Sequence, residues 1–236
     1  MTANHGHPIV LACDTSTRVA SVALVEGGVM TAETTLLSAD SHSERLLQDV
    51  SDLLARRGLA AADLDVLVTS LGPGSFTGVR IALSAMKGLA YALGRPLVGV
   101  CGLDALARPL TGRGAAVLTA LDARKGEVYA ALHASDGTRL MAPCVSDPDR
   151  FASDMAAAAP GCPVIGAGEG VLAYRGRFEA ALGGRLKVAD AHEHAIRASV
   201  IATLGLEQVA PGPGVDALEP LYLRRSEAEV KLGLRA

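Results

Sequence analysis

The sequence predicts an α/β fold built from two similar halves, and three observations support this prediction. Short apolar runs alternate with longer segments of helical periodicity, as they do in α/β domains. A strand that ends at Asp14 turns back into a second strand, and the same pattern of strand, aspartate, turn and strand recurs at Asp122. Such a repeat indicates an internal duplication. Half of the 236 residues are hydrophobic, which is enough apolar side chain for a large core.

The first half is predicted to begin with a three-stranded meander. Apolar runs at 8–13, 19–25 and 29–37 are separated by a polar turn and by a pair of glycines, as antiparallel strands usually are. His42–Arg57 then carries apolar residues at i, i+1, i+4, i+7 and i+8, which predicts an amphipathic helix that Gly58 ends. Further strands are predicted at 64–69 and 96–100, and a short helix at 103–107.

A glycine-rich turn joins the strand at 64–69 to a second long helix. Gly72, Pro73 and Gly74 break the strand pattern, and Ser75 stands at the N-cap position of the helix. A strand, a glycine turn and a helix N-terminus can also bind an anion, but neither the lysine of a P-loop nor the glycine spacing of a dinucleotide site is present. We therefore predict a structural turn made by these four residues.

The helix that follows, Phe76–Leu93, is apolar on nearly every side. A helix that covers one face of a sheet needs only one apolar stripe, so this helix should pack against its own sheet and against a second surface. Its small residues would let the backbone of another helix come close. They are Gly78, Ala82, Ala85 and Ala92.

The second half repeats the pattern. A basic turn at 123–126 joins strands at 115–121 and 127–133, and another strand is predicted at 163–165. Helices are predicted at 148–159, 168–182 and 192–208. The predicted division of the chain is a first lobe at 1–107, a second lobe at 108–210, and a linker with a C-terminal tail at 211–236.

Few residues of this sequence are candidates for catalysis or for binding a nucleotide or a metal ion. Asp14, Thr15 and Asp122 are candidates for holding a nucleotide between the two halves, although both aspartates could simply end hairpins and bond to turn amides. His42 begins a helix, but a metal site of the HExxH type needs a second histidine where Leu46 stands. We therefore predict no catalytic residue and no metal ligand in this chain.

The charge, the cysteine spacing and the lack of targeting signals argue against a nucleic-acid-binding, zinc-binding, secreted or membrane protein. The formal net charge of −3 gives no electrostatic footprint for binding nucleic acid directly, so tRNA binding by the isolated chain should be weak. The four cysteines form no CxxC pair, and neither a signal peptide nor a membrane span is recognisable. The sequence predicts a cytoplasmic protein.

Seven segments together resemble the TsaB family, also called YeaZ. The most specific is the Gly-Pro-Gly-Ser-Phe-Thr-Gly run that begins at Gly72. The segments are 14–17, 42–47, 72–81, 87–90, 94–97, 122–124 and 220–224. The resemblance extends over almost the whole chain, and it implies the duplicated, two-lobed actin-like ATPase fold (ASKHA, ribonuclease H-like).

The resemblance also implies a function. TsaB proteins belong to the bacterial machinery that makes N6-threonylcarbamoyladenosine at position 37 of ANN-decoding tRNAs. In that family the TsaD paralogue carries the paired metal histidines and transfers the threonylcarbamoyl group, and a small ATPase, TsaE, joins the complex. This chain should then be a non-catalytic partner of both proteins, should reach tRNA only indirectly, and should form a homodimer when alone.

Two points stay open at this stage. The chain could instead be an enzyme in its own right, either an ATP-using transferase of the actin fold or a glycoprotease-like metallopeptidase. No cofactor is assigned, and ATP or ADP could bind in a degenerate cleft or at the partner interface. The two long helices are predicted to form the partner interface, through His42, Leu46, Gly78, Ala82, Ala85, Leu89 and Ala92.

Overall fold

The chain folds into two five-stranded sheets with helices packed against them. The computed structural model describes residues 7–37, 42–209 and 215–224. The polar N-terminal residues 1–6, the predicted linker at 211–214 and the end of the tail lie outside the described residues. Among those described, no helix is both long and apolar enough to cross a membrane.

The first sheet has the strand order β3-β2-β1-β4-β5. Its strands are β1 (Ile9–Asp14), β2 (Val19–Glu26), β3 (Val29–Leu37), β4 (Val66–Ser70) and β5 (Leu97–Val100). The first three form the predicted antiparallel meander, and β4 and β5 add parallel to β1. The helices of this half are α1 (His42–Arg57), α2 (Phe76–Leu93) and α3 (Gly102–Ala107). The two long helices have the predicted bounds, and they share one core with the first sheet.

The second sheet repeats this topology in the order β10-β9-β6-β7-β8. Its strands are β6 (Ala116–Asp122), β7 (Val128–His133), β8 (Arg139–Ser146), β9 (Val164–Ala167) and β10 (Leu186–Val188). Strands β6, β7 and β8 are antiparallel neighbours, and β9 and β10 follow in parallel, as β4 and β5 do in the first sheet. The duplicated two-lobed α/β fold predicted from the sequence is therefore confirmed.

The remaining helices divide between the two sheets. They are α4 (Pro148–Ala158), α5 (Glu169–Ala173), α6 (Arg175–Leu182) and α7 (Ala198–Glu207). Residues of α4, α5 and α6 share a core with one face of the second sheet. Helix α7, which the sequence division placed in the second lobe, packs on β1, β2 and β4 of the first sheet. Together with α3 it belongs to a core that contains residues of both sheets.

Four local predictions need correction. Strands β8 and β10 were not predicted, because β8 is a partly exposed edge strand of mixed polarity and β10 has only three residues. The helix predicted at 168–182 is broken at Tyr174 into two helices. The helix predicted at 192–208 begins only at Ala198. Residues 191–193 form a single 3-10 turn instead. At this turn the Glu193 carboxylate accepts a hydrogen bond from the Asp190 N–H, as in a capping box.

Candidate functional site

The glycine-rich turn packs directly on the turn that follows β1. The Ser75 N–H donates to the Ser16 carbonyl oxygen over 2.6 Å, and the Thr15 hydroxyl donates to the Gly78 carbonyl oxygen over 2.7 Å. A Cβ atom on Gly74 would lie 2.2 Å from the Ser16 carbonyl oxygen, and one on Gly78 would lie 2.0 Å from that of Thr15. Both glycines are therefore required for the close approach of two backbones.

The turn has the predicted architecture. The Ser75 side chain accepts from the Gly78 N–H over 3.3 Å, which is the N-cap bond expected at the start of α2. Gly72 has a φ of 86°, in the left-handed region that favours glycine. The four residues of the turn thus join β4 to α2 and hold the start of α2 against β1.

This packing surrounds Asp14 and Thr15, and their role in nucleotide binding stays a prediction. Both residues are fully buried, so neither presents a surface to a ligand in this structure. The Asp14 carboxylate accepts from the Ser16 N–H, and the Asp122 carboxylate accepts from the Arg124 N–H over 2.8 Å. The alternative interpretation, a carboxylate bonded to a turn amide, describes both aspartates.

Charged residues of both hairpin turns affect the pKa of one half-buried carboxylate, Glu169. Burial and the neighbouring Asp122 carboxylate raise the pKa of Glu169, at the start of α5, while Arg18 and Arg124 oppose that rise. Arg18 belongs to the first hairpin turn and Arg124 to the second. Arg124 and Lys125 are exposed and have φ values of 62° and 55°, a conformation that costs a non-glycine residue about 1 kcal/mol or more.

The last described segment, 215–224, joins the two halves. The Tyr222 ring stacks on Phe76 with 5.1 Å between ring centroids, and the Tyr222 hydroxyl accepts from Arg80 Nε over 2.7 Å. Two residues further on, the Arg224 guanidinium donates to the Ala123 carbonyl oxygen over 2.6 Å and pairs with Glu127. The tail therefore runs from the start of α2 to the second hairpin turn.

No metal centre is found among the residues that the structure describes: they contain no group of three or more His, Cys, Asp and Glu that could hold an ion. The side chain of His42 lies outside the described residues. His194 is bonded at both ring nitrogens, since Nδ1 accepts from the Gly168 N–H and Nε2 donates to the Ala189 carbonyl oxygen. Its role here is to hold two loops together.

Three predicted interface residues are instead part of the chain's own core. Gly78 contacts the Thr15 carbonyl, Ala82 is 0% exposed, and Leu46 is 3% exposed. Gly78 and Ala82 lie on the same side of α2 as Met86, and this side faces the first sheet rather than the surface. Small residues there serve the packing of α2 on its own sheet.

The other predicted residues of α2 do reach the surface. Ala85 and Leu89 are half-buried and Ala92 is exposed. Gly88, which sequence reasoning did not select, completes the row at i, i+3, i+4 and i+7 and has open space where a Cβ would be. We call Ala85, Gly88, Leu89 and Ala92 the α2 stripe. Gly88 and Ala92 are four residues apart and therefore lie on one face of the helix, which is the signal in the sequence that could have found the stripe.

These features define a class: a two-lobed α/β protein of the duplicated actin-like fold. The family model described as TsaD, tRNA N6-adenosine threonylcarbamoyltransferase, matches residues 26–232. The tRNA threonylcarbamoyladenosine biosynthesis protein TsaB of Bacillus subtilis is 33% identical over 224 residues, 94% of this chain and 96% of that protein. The Escherichia coli protein of the same name is 40% identical over 129 residues, 54% of this chain and 55% of that protein.

Solved structures agree. YeaZ from Pseudomonas aeruginosa is 34% identical and superposes with a TM-score of 0.75, covering 92% of this chain and 100% of that one. Component A of the Acidaminococcus fermentans (R)-2-hydroxyglutaryl-CoA dehydratase is only 12% identical with a TM-score of 0.51, covers 85% of this chain and 98% of that one, and supports the fold alone. The chain belongs to the TsaB (YeaZ) family, which confirms the resemblance.

Proposed function

We propose that this chain is a non-catalytic subunit in the synthesis of N6-threonylcarbamoyladenosine at position 37 of ANN-decoding tRNAs. In this role it binds and activates a TsaD-type threonylcarbamoyl transferase, together with a TsaE-type ATPase. Membership of a family whose Bacillus subtilis member is named for the synthesis of this nucleoside supports the pathway. The α2 stripe is the structural feature that best supports a role as a subunit, because it offers an apolar surface to a partner protein.

The stripe suits a partner helix for a physical reason. Interaxial distances between packed helices fall in the range of about 8–10 Å, and small side chains at the crossing allow the shortest of them. Gly88 and Ala92 offer such side chains at the surface, and the half-buried Leu89 lies beside them. The apolar surface that remains exposed on α2 also includes Tyr91, which is 84% exposed. A helix from the TsaD-type subunit would remove this surface from water.

The proposal assigns catalysis to the partner. Experiments on the isolated chain can test this assignment. It should neither hydrolyse ATP at an appreciable rate nor retain stoichiometric metal, since Asp14 and Thr15 are buried and Leu46 is part of the core. Measuring ATP turnover and the metal content of the native, purified chain decides the point. About one zinc or iron per chain, with an activity that is lost on chelation, would support the alternative of an enzyme in its own right.

Substitution in the α2 stripe tests the partner surface. We expect Ala92→Glu to fold normally, because Ala92 is exposed, and to bind the TsaD-type subunit of the same organism at least about a hundredfold more weakly. The reason is that docking would bury a carboxylate without a counter-ion. Isothermal titration calorimetry with the TsaD-type subunit gives the affinity, and thermal unfolding of the same sample checks the fold.

The matched control is Ala157→Glu, which introduces the same charge at an exposed position of α4 in the second lobe. It should bind the TsaD-type subunit as the native chain does. If Ala92→Glu is folded and binds with unchanged affinity, the partner surface is not the α2 stripe. If both variants lose binding equally, the effect is one of net charge and the local argument fails.

A further inference from the structure

A pocket at the edge of the second sheet is lined by charged and apolar residues that have no part in the proposed function. Its volume is about 310 Å³, and it lies over the ends of β9 and β10, far along the chain from the α2 stripe. Helix α3 contacts β6 and β7, and it shares a core with Ile165 of β9, which lines the pocket.

The floor of the pocket is apolar. Ala115, Pro163 and Ile165 line it, whereas the side chain of Val164 points to the opposite face of the sheet, into the core under α4 and α6. Lys187 is the register partner of Ile165 on the neighbouring strand. Register partners on adjacent parallel strands point to the same face of the sheet, so the Lys187 side chain rises beside the apolar floor.

The charges around the floor do not cancel. Glu193 is the internal counter-ion of Arg113: its side chain is only 8% exposed, and its carboxylate accepts from Arg113 over 2.6 Å and from the Asp190 N–H over 2.9 Å. This hydrogen bond from Arg113 lowers the pKa of Glu193 and outweighs the opposing effect of burial. Glu193 therefore stays ionised and neutralises Arg113.

Arg185 and Lys187 differ from Arg113 in this respect. Arg185 donates to the carbonyl oxygens of Leu182 and Ala159, which hold the guanidinium in place without neutralising it. No described carboxylate lies within 4.0 Å of the Arg185 or Lys187 nitrogens, the distance that defines an ion pair. Asp190 also lines the pocket and offsets one of these two charges, so the lining as a whole keeps one net positive charge.

We propose that this pocket binds a small organic anion. Its phosphate or carboxylate group would lie at Arg185 and Lys187, and its apolar body would lie against Pro163 and Ile165. Pockets for small molecules are commonly apolar with a few convergent polar groups, and the volume is at the lower end of the usual range of about 300–1,000 Å³. Guanidinium and ammonium groups supply charge-assisted hydrogen bonds to either head group.

Phenyl phosphate and benzoate are suitable probes because they share an apolar ring and differ in the head group. Titration of the full-length, 15N-labelled chain should shift the backbone amides of Ile165, Lys187 and Ala189, with an affinity in the millimolar range for so few atoms. The tighter of the two probes identifies the head group. Phenol, the uncharged analogue, should bind at least about tenfold more weakly than the better anion.

Lys187→Glu should weaken the better anion by at least about tenfold, and Lys187→Arg should preserve binding. Lys187 is exposed, so neither variant should unfold the chain. Arg150→Glu, an equally large charge change at an exposed residue of α4, is the control and should leave binding unchanged. The proposal is overturned if no shifts occur around the pocket, if phenol binds as tightly as the anions, or if Lys187→Glu binds like the native chain.

Discussion

Gly78→Ala should be among the most destabilising substitutions of a single methyl group in this chain. The new Cβ would lie 2.0 Å from the Thr15 carbonyl oxygen, far inside van der Waals contact, and the obstacle is backbone rather than a flexible side chain. The start of α2 would have to move away from the turn after β1, which breaks the Thr15 hydrogen bond to the Gly78 carbonyl. We expect a loss of about 3 kcal/mol or more in the free energy of unfolding.

The same helix offers the control. Gly88→Ala adds the same methyl group twelve positions from the start of α2, where no atom lies within 4 Å of the new Cβ. Because alanine favours a helix over glycine by up to about 1 kcal/mol, this variant should be slightly more stable than the native chain. Urea unfolding of both variants measures the difference. A Gly78→Ala protein as stable as the native chain would show that the two turns can separate at no cost.

Glu33→Gln should be the second large effect, because Glu33 ties the edge strand β3 to the start of α7. The Glu33 side chain is only 4% exposed, and its carboxylate pairs with Arg197 and accepts from the Ser199 N–H over 3.0 Å and the Ser199 hydroxyl over 2.9 Å. Removing the charge leaves Arg197 without its partner. Since the Arg197 side chain is 39% exposed and partly screened by water, we expect a loss of about 2 kcal/mol.

The pH dependence of unfolding gives a second measure of the same interaction. Burial alone would raise the pKa of Glu33, but the bonds from Arg197 and Ser199 outweigh it and the pKa is lowered. A lowered pKa adds stability above the unfolded value of about 4.5, and this stability is lost as the pH falls through the folded value. The native chain should therefore lose more stability than Glu33→Gln between neutral pH and this acid range.

Glu179→Gln is the matched control for the Glu33 variant. Glu179 pairs with Arg175 one turn away on α6, and both side chains are largely in water. Such exposed pairs contribute about 0.5 kcal/mol or less, so this variant should be close to the native chain at every pH. If Glu33→Gln and Glu179→Gln prove equally harmless, the link between β3 and α7 is not a stabilising contact.

Local chemistry in the sequence was sufficient to determine several features of this protein. Helical periodicity determined α1 and α2 to the residue: α1 carries one apolar stripe, and α2 confines its polar residues to one narrow stripe. Glycine geometry and an N-cap serine determined the turn at 72–75. The repeated hairpins at Asp14 and Asp122 determined the duplication, since each is a local pattern that needs no distant partner to be recognised.

Only the tertiary structure decided which side of each element is covered. The periodicity of α2 shows that small residues lie on more than one side, but the position of the first sheet makes Gly78 and Ala82 core residues and leaves Gly88 and Ala92 at the surface. In the same way, α7 packs on strands nearly two hundred residues earlier in the chain, which no local pattern encodes. The pocket beside Lys187 exists only because three segments, 113–115, 163–165 and 185–193, come together in space. The burial of a residue depends on which distant segments pack against it, whereas a sequence pattern shows only which residues of a segment are suited to burial.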